Sequence, residues 1–386
     1  MSREHNRLRN LLFLVDAYTG QKPLQLFLQE QFRTNKSWGS SDRRFYREWL
    51  YAYMRLGTSC GSLNPAERFV LLAWKKKEAA CFEAWSGKHL DEVPEIKAMF
   101  PEYKPEQWFP RCELLSPQIS LEALHQHFEH VLPVYARILP NGEKGTMNLP
   151  PGAELLPEGA LRIPPATDLS EWIEKGFLQV QDWGSQLICQ KITQSAQHGT
   201  LWDACSGSGG KSLNYACHEQ ACKLYCSDIR SAILHNLKQR FTQANLSVPF
   251  TAELNLELPH ESISFYNHAG ESTIIEPGFF DYLALDVPCS GSGTWGRNPE
   301  MLMEEFQRKS PEAYAHMQRN IVAHALPFLK PGGTLFYSTC SIYAVENEDN
   351  AAFFREKLGL KEIEETYIQG AQHQCDYLYL AKFQKA

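Results

Sequence analysis

The residues with the most chemical potential are two cysteines that end two apolar segments. The stretch FFDYLALDV runs into Asp286, Val287, Pro288 and Cys289, then the small residues Ser290 to Gly293. The stretch GTLFYSTC ends at Cys340, followed by Ser341. Each reads as a strand that stops at a turn, so each sulfur lies at a strand's carboxyl end. A purely structural cysteine gains nothing from such a turn-flanked position, and the pair is expected to face one pocket. Two thiols and the Asp286 carboxyl suit addition of a thiolate to C6 of a cytosine. That addition turns C5 into an enamine carbon able to accept a methyl group. An acid near N3 assists the attack, and a base then removes the C5 proton so the thiolate can leave.

A second loop is suited to a ligand. Asp203, Ala204, Cys205, Ser206, Gly207, Ser208, Gly209, Gly210 and Lys211 follow the strand-like TLWDAC and open a helix. The glycines allow a tight turn and close backbone approach. The run is not a phosphate-binding P-loop, because Cys205 stands where that motif has its first glycine, and Ser212 breaks G-x-G-x-x-G. A loop of this kind can instead receive an amino acid carboxylate at the helix start. The next strand, CKLYCSD, ends in Asp228. An acid there can accept hydrogen bonds from ribose hydroxyls or simply cap the following helix. Together the two features point to a nucleoside cofactor.

These loops need a frame that gathers strand ends. After about residue 170, TLWDAC, CKLYCSD, FFDYLALDV and GTLFYSTC alternate with helical stretches at 211–222, 230–243 and 311–329. Such alternation implies an α/β fold, a mostly parallel sheet covered by helices, with ligands outside the carboxyl ends of the strands.

The motifs DACSGSGGKS, CSDIR, DVPCSGSGTWGRNPE, KPGGTLFYSTCSIYAVENE and GFLQVQDWGSQ occur in the order of one family over about residues 170–386. The chain resembles the Sun/Fmu-type (Nol–Nop–Sun) RNA 5-methylcytosine methyltransferases. The resemblance implies a Rossmann-like, S-adenosylmethionine-dependent methyltransferase domain. It implies Cys340 as nucleophile, Cys289 as the group assisting product release, and Asp286 as a contact to base and cofactor. Cys205 to Lys211, Asp203 and Asp228 would hold S-adenosylmethionine. The residues alone do not rank the two cysteines, since DNA cytosine methyltransferases use the PC cysteine as nucleophile. Ser208 stands where the family usually has proline. No clear aspartate follows the third strand, where Glu253 or Asn255 could take its place.

Ahead of this domain, residues 1–90 read as helical, with apolar residues spaced through Leu8, Leu11, Leu12 and Leu14, then Phe45, Leu50, Tyr53 and Leu56. Ser40, Ser41 or Asp42 are expected caps for the second of these helices. The run SSDRRFYR is similar to the helical RNA-binding domain of bacterial ribosomal RNA methyltransferases. Residues 91–170, rich in proline and glycine, read as a small α+β module, with strands in VLPVYARIL and GALRIP. PVYARILPN partly matches the motif that opens the family's RNA-positioning module.

The composition, 43% hydrophobic and 22% charged in 386 residues, is that of a globular protein. No apolar run spans a membrane, and the amino-terminal stretch lacks the cleavage site of a signal peptide. A cytoplasmic monomer is expected. A net charge of −7 excludes a uniformly basic surface. RNA contact would need a local groove, with Arg43, Arg44 and Arg47 or Lys75, Lys76 and Lys77 as candidates. The eleven cysteines are expected to be reduced. Cys217, His218, Cys222 and Cys226 lack zinc-site spacing, so no metal is expected. Ribosomal RNA is the expected partner. A transfer RNA methyltransferase, and a non-catalytic RNA-binding or assembly factor of the same fold, stay open.

Overall fold

The computed structural model describes every residue except 1, 144–147, 157–158, 165–166, 218–221 and 304–305. His218 lies outside the described residues. The chain forms two compact units, Met1–Glu113 with Trp295–Arg308, and Leu114–Thr294 with Lys309–Ala386. These differ from divisions at 90 and 170. Residues 91–113 join the helical unit through a series of 3-10 turns. The WGRNPE half of the PC motif also joins it.

The first unit holds helices Arg3–Ala17, Leu24–Thr34, Ser40–Arg55, Pro65–Lys75 and Ala79–Ser86. Leu11, Leu14, Leu50 and Tyr53 are buried, as their helical spacing requires. Rings fill the centre, Trp49 against Trp85 at 4.9 Å and Tyr53 against Phe69 at 5.0 Å. Helix 40–55 is capped differently from expectation. Gly39 is its N-cap, with no side-chain cap bond, and Ser40 already lies inside the helix. Asp42 instead accepts two bonds from Arg7, at 3.2 and 3.3 Å. Among the basic candidates, Lys76 pairs with Glu48 at 2.7 Å, and Arg43 donates to the Trp38 carbonyl.

The second unit has two sheets. The small antiparallel sheet comprises β1 (Val134–Ile138), β2 (Glu154–Leu155), β3 (Ala160–Ile163) and β4 (Leu178–Val180), in the order β2-β3-β1-β4. VLPVYARIL and GALRIP supply β1 and β3. The large sheet comprises β5 (Thr200–Asp203), β6 (Lys223–Asp228), β7 (Phe250–Glu253), β8 (Ile263–Tyr266), β9 (Ser272–Ile275), β10 (Phe280–Asp286), β11 (Leu329–Thr339), β12 (Lys361–Ile368) and β13 (Leu378–Gln384). Its order is β12-β13-β11-β10-β5-β6-β7-β8-β9. Strands β7, β6, β5, β10 and β11 run parallel, whereas β13, β12, β8 and β9 pair antiparallel.

The parallel strands are buried on both faces, which explains their continuous apolar runs. Leu283 and Leu285 pack on one side with Trp202, Phe280 and Phe354, while Ala284 packs on the other with Ile188, Leu237 and Phe336. Strand order reverses direction at β5, with β6 on one side and β10 on the other. Ligands bind at such a switch point, outside the carboxyl ends. This arrangement is a Rossmann-like α/β fold.

Candidate active site

Strands β10 and β11 are neighbours in register, Asp286 opposite Ser338. The loops leaving them therefore start side by side. The Gly293 N–H donates to the Cys340 carbonyl at 2.8 Å, and the Tyr377 N–H donates to the Gly293 carbonyl at 3.0 Å. Gly293 is packed so closely that a Cβ there would lie 2.2 Å from the Tyr377 carbonyl oxygen and 2.9 Å from that of Cys340. This approach brings the Cys289 and Cys340 sulfurs to 3.3 Å. Both residues are partly exposed, and all eleven cysteines are free thiols. The hydrogen bond to Cys340, then burial and the charges of Cys340 and Glu346, push the Cys289 thiol well above the usual range.

Asp286 lies at the same edge. Lys211 donates to its Oδ2 at 2.6 Å, and the Ser338 hydroxyl to its Oδ1 at 3.1 Å. Burial disfavours the Lys211 charge, but Asp286 outweighs it and the ammonium is held above its ordinary value. This ion pair links the glycine loop to the cysteine loops.

The glycine loop is held through its backbone, by main-chain and side-chain partners. Ser206 bonds through N and Oγ to the Ser227 carbonyl, at 2.9 and 3.1 Å, and is buried. The Gly207 N–H donates to Asp228 Oδ2 at 3.0 Å. Gly209 takes φ +80°, and a Cβ there would lie 2.8 Å from Leu237 Cγ. Arg240 donates to both Ser208 oxygens at 2.9 Å. Gln179 and Gln181 donate to the Gly210 carbonyl at 3.4 and 3.2 Å. That contact accounts for the GFLQVQDWGSQ segment, which forms β4 and the helix Trp183–Ser195.

Asp203 is fully buried beneath the loop. It accepts a 2.6 Å bond from Ser212, and burial pushes its carboxyl up to about 7. Cys205 is partly exposed, and burial raises its thiol well above the usual range. Asp228 does not cap the next helix, which is Ser231–Gln243 with Arg230 as N-cap. Its carboxylate faces the loop, shared between Gly207 and the mostly exposed Arg230.

The edge fits S-adenosylmethionine. A Cβ built on Gly207 meets nothing within 4 Å, so the loop surface is open beside the Asp228 acceptor. Beyond the third parallel strand, Glu253 is exposed at the end of β7, opposite Asp228. The Asn255 side chain accepts the Glu257 N–H inside its own turn. Among the described residues, no group of three or more His, Cys, Asp or Glu side chains could hold a metal ion. No helix among them is long and apolar enough to cross a membrane.

The sequence reading missed Ser338, Gln179, Gln181 and Arg240 as supports of the site, although the two glutamines stood in a quoted motif. It also missed Glu346 and Gln318, which bond to one another beneath the cysteine loops at 3.0 Å.

Residues 191–381 match the family model described as 16S rRNA methyltransferase RsmB/F. Ribosomal RNA small subunit methyltransferase B of Shewanella oneidensis is 30% identical over 230 residues, covering 55% of this chain and 49% of that protein. Ribosomal RNA small subunit methyltransferase F of Shewanella amazonensis is 30% identical over 190 residues, covering 48% and 37%. The match thus spans about half or less of these relatives. The crystal structure of PH0851 aligns over 100% of both chains with a TM-score of 0.69 and 17% identity. A methyltransferase homologue from Pyrococcus horikoshii aligns over 84% of this chain and 100% of its own, with a TM-score of 0.52 and 16% identity.

Proposed function

From the match of residues 191–381 to the RsmB/F family model, we propose that the protein is an S-adenosylmethionine-dependent RNA cytosine-C5 methyltransferase acting on ribosomal RNA. The observation that carries this reading is the 3.3 Å approach of the Cys289 and Cys340 sulfurs at adjacent strand ends. S-adenosylmethionine, held by the loop from Cys205 to Lys211 and by Asp228, supplies an electrophilic methyl group when bound. Asp203 supports that loop from below through Ser212.

The Cys340 thiolate adds to C6 of the target cytosine, forming a carbon–sulfur bond and making C5 nucleophilic. Asp286, steadied by Lys211 and Ser338, contacts the base and exchanges a proton at N3. After C5 is methylated, a water molecule takes the C5 proton, the C5–H electron pair re-forms the C5–C6 double bond, the carbon–sulfur bond breaks, and Cys340 leaves as thiolate, the Cys289 thiol assisting by donating to the departing sulfur 3.3 Å away.

The test uses the full chain, S-adenosylmethionine labelled in its methyl group, and RNA from a strain lacking the gene. Cys340→Ala is expected to abolish transfer, by about 10³-fold or more, while still binding S-adenosylmethionine. Cys289→Ala is expected to accumulate a covalent RNA–protein species on denaturing gels. Turnover near wild type in Cys340→Ala would remove it as nucleophile. Bisulfite mapping of the deletion strain assigns the substrate. A newly unmethylated cytosine in ribosomal RNA supports the proposal, one in transfer RNA replaces the substrate, and an unchanged map favours a scaffold.

A further inference from the structure

The mechanism uses two sulfurs and Asp286 but leaves a buried carboxyl without a task. Glu346 ends the 3-10 turn Ala344–Glu346 after β11 and is 0% exposed. A buried carboxylate is costly unless donors reach it, and here they come from both cysteine loops. The Ser290 N–H, beside Cys289, donates to Glu346 Oε2 at 2.9 Å. The Ser341 hydroxyl, beside Cys340, donates to Oε1 at 2.6 Å. Gln318, from the helix Pro311–Ala325, donates to Oε2 at 3.0 Å and to the Pro288 carbonyl at 2.9 Å. Its own Oε1 accepts from Tyr337 at 2.9 Å and Asn350 at 2.7 Å. The hydroxyls of Ser290, Ser292 and Ser341 close the cluster at 3.1–3.2 Å.

Resting on the reading of Cys340 as nucleophile, we propose that Glu346 is a positioning residue: its carboxylate bridges the loops after β10 and β11, sets the separation of the two sulfurs, and keeps the proton on Cys289. One carboxyl group bonds to the residue following each cysteine, so the two loops move as a unit. Every donor to it is neutral, so its negative charge stays local and opposes a second one forming on Cys289. Burial pushes the Glu346 carboxyl up, and bonds from Ser290, Ser341 and Gln318 pull it back. The other ionisable groups that face Cys289 are Cys340, just past the end of β11, and Tyr337 on β11; Arg319, which bonds to Asn350, acts on Tyr337, and Lys211, paired with Asp286, lies toward Cys340. Of these, the Cys340 thiolate and Glu346 are the groups whose charge opposes ionisation of Cys289.

The experiment compares Glu346→Ala and Glu346→Gln in the full chain. Glutamine keeps the shape and can still accept from Ser290 and Gln318, while the Ser341 hydroxyl reverses to accept its amide. Methyl transfer and pH-dependent alkylation of each cysteine, followed by peptide mass spectrometry, are measured together. Glu346→Ala is expected to lose about 10²-fold in kcat with little change in KM for S-adenosylmethionine. Glu346→Gln is expected to recover much of that loss, yet to alkylate Cys289 at lower pH than wild type. Wild-type kcat in Glu346→Ala, or a Cys289 alkylation profile unmoved in Glu346→Gln, overturns the proposal. If Glu346→Ala does not fold, the alkylation profile of Glu346→Gln decides alone. If wild type methylates no RNA, the functional reading fails, and the alkylation profile still decides the role of Glu346.

Discussion

The two halves of the site are built from different materials. The loop after β5 takes its shape from a left-handed glycine, Gly209 at φ +80°, and from bonds that grip its own backbone: Ser206 on the Ser227 carbonyl, Gly207 on Asp228, Arg240 on the Ser208 carbonyl and two glutamines on that of Gly210. The loops after β10 and β11 are held largely by side chains, a cluster of hydroxyls and amides around one buried carboxyl. A backbone-shaped loop presents polar groups to a ligand that takes up the rest of its surface. A side-chain cluster fixes two sulfurs against each other before any ligand arrives. Each half also depends on one glycine, and for opposite reasons. Gly209 supplies a left-handed conformation, whereas Gly293 supplies room for two carbonyls.

Substitutions that separate the halves test this contrast. The largest effect is expected from Gly293→Ala, whose methyl group would collide with backbone and not with a movable side chain. A cost of about 3 kcal/mol or more in stability is expected, with loss of methyl transfer. Surviving protein should bind S-adenosylmethionine normally by calorimetry, and weakened binding would show the halves to be one. Gly209→Ala should cost about 1–3 kcal/mol, from strain and the approach to Leu237, and should weaken S-adenosylmethionine binding. Alkylation of Cys289 and Cys340 in that variant should match wild type. Asp228→Ala should raise the dissociation constant for S-adenosylmethionine by about 1–3 kcal/mol. An unchanged constant would limit Asp228 to a structural role, bonding Gly207 and Arg230.

The smallest effect concerns pH. The folded-state pKa of Asp203, about 7, lies above its ordinary value. The native protein therefore keeps a proton that the unfolded chain releases between about pH 4 and pH 7, and stability falls as pH rises through that window. Asp203→Asn can still accept from Ser212 but has nothing to titrate. Its stability relative to wild type should rise from pH 4 to pH 8, by an amount on the order of 1–3 kcal/mol. Parallel melting curves for the two proteins across that range would refute the assignment.

The strand ends were legible because parallel strands buried on both faces leave unbroken apolar runs that stop where a turn begins. FFDYLALDV and GTLFYSTC end within two residues of the observed β10 and β11. The convergence of Cys289 and Cys340 follows from that placement once β10 and β11 are neighbours. Glu346 was not legible. Its task depends on Gln318 and Ser290, which arrive from other elements. The cap of helix 40–55 also misled. The helix begins one residue earlier than its polar residues suggest, with Gly39 as N-cap, so Asp42 lies within the first turn and pairs with Arg7 from helix 3–17. The fate of WGRNPE was hidden by contiguity. Trp295 follows the PC motif directly but stacks on Phe109, and Glu300 accepts the Leu24 N–H, both partners lying far back along the chain.

That excursion bears on how the molecule can be cut. Because Trp295–Arg308 leaves the sheet-bearing unit and completes the helical one, the polypeptide changes unit three times, after residues 113, 294 and 308. No single cleavage point yields two self-sufficient halves. Excising residues 1–113 would strand Trp295, Leu302 and Met303, now buried, in water on a tether anchored between Thr294 and Lys309. The cysteine loop ends at that tether's first anchor. Loss of the amino-terminal helices would therefore be felt as stickiness and as slack in the PC loop.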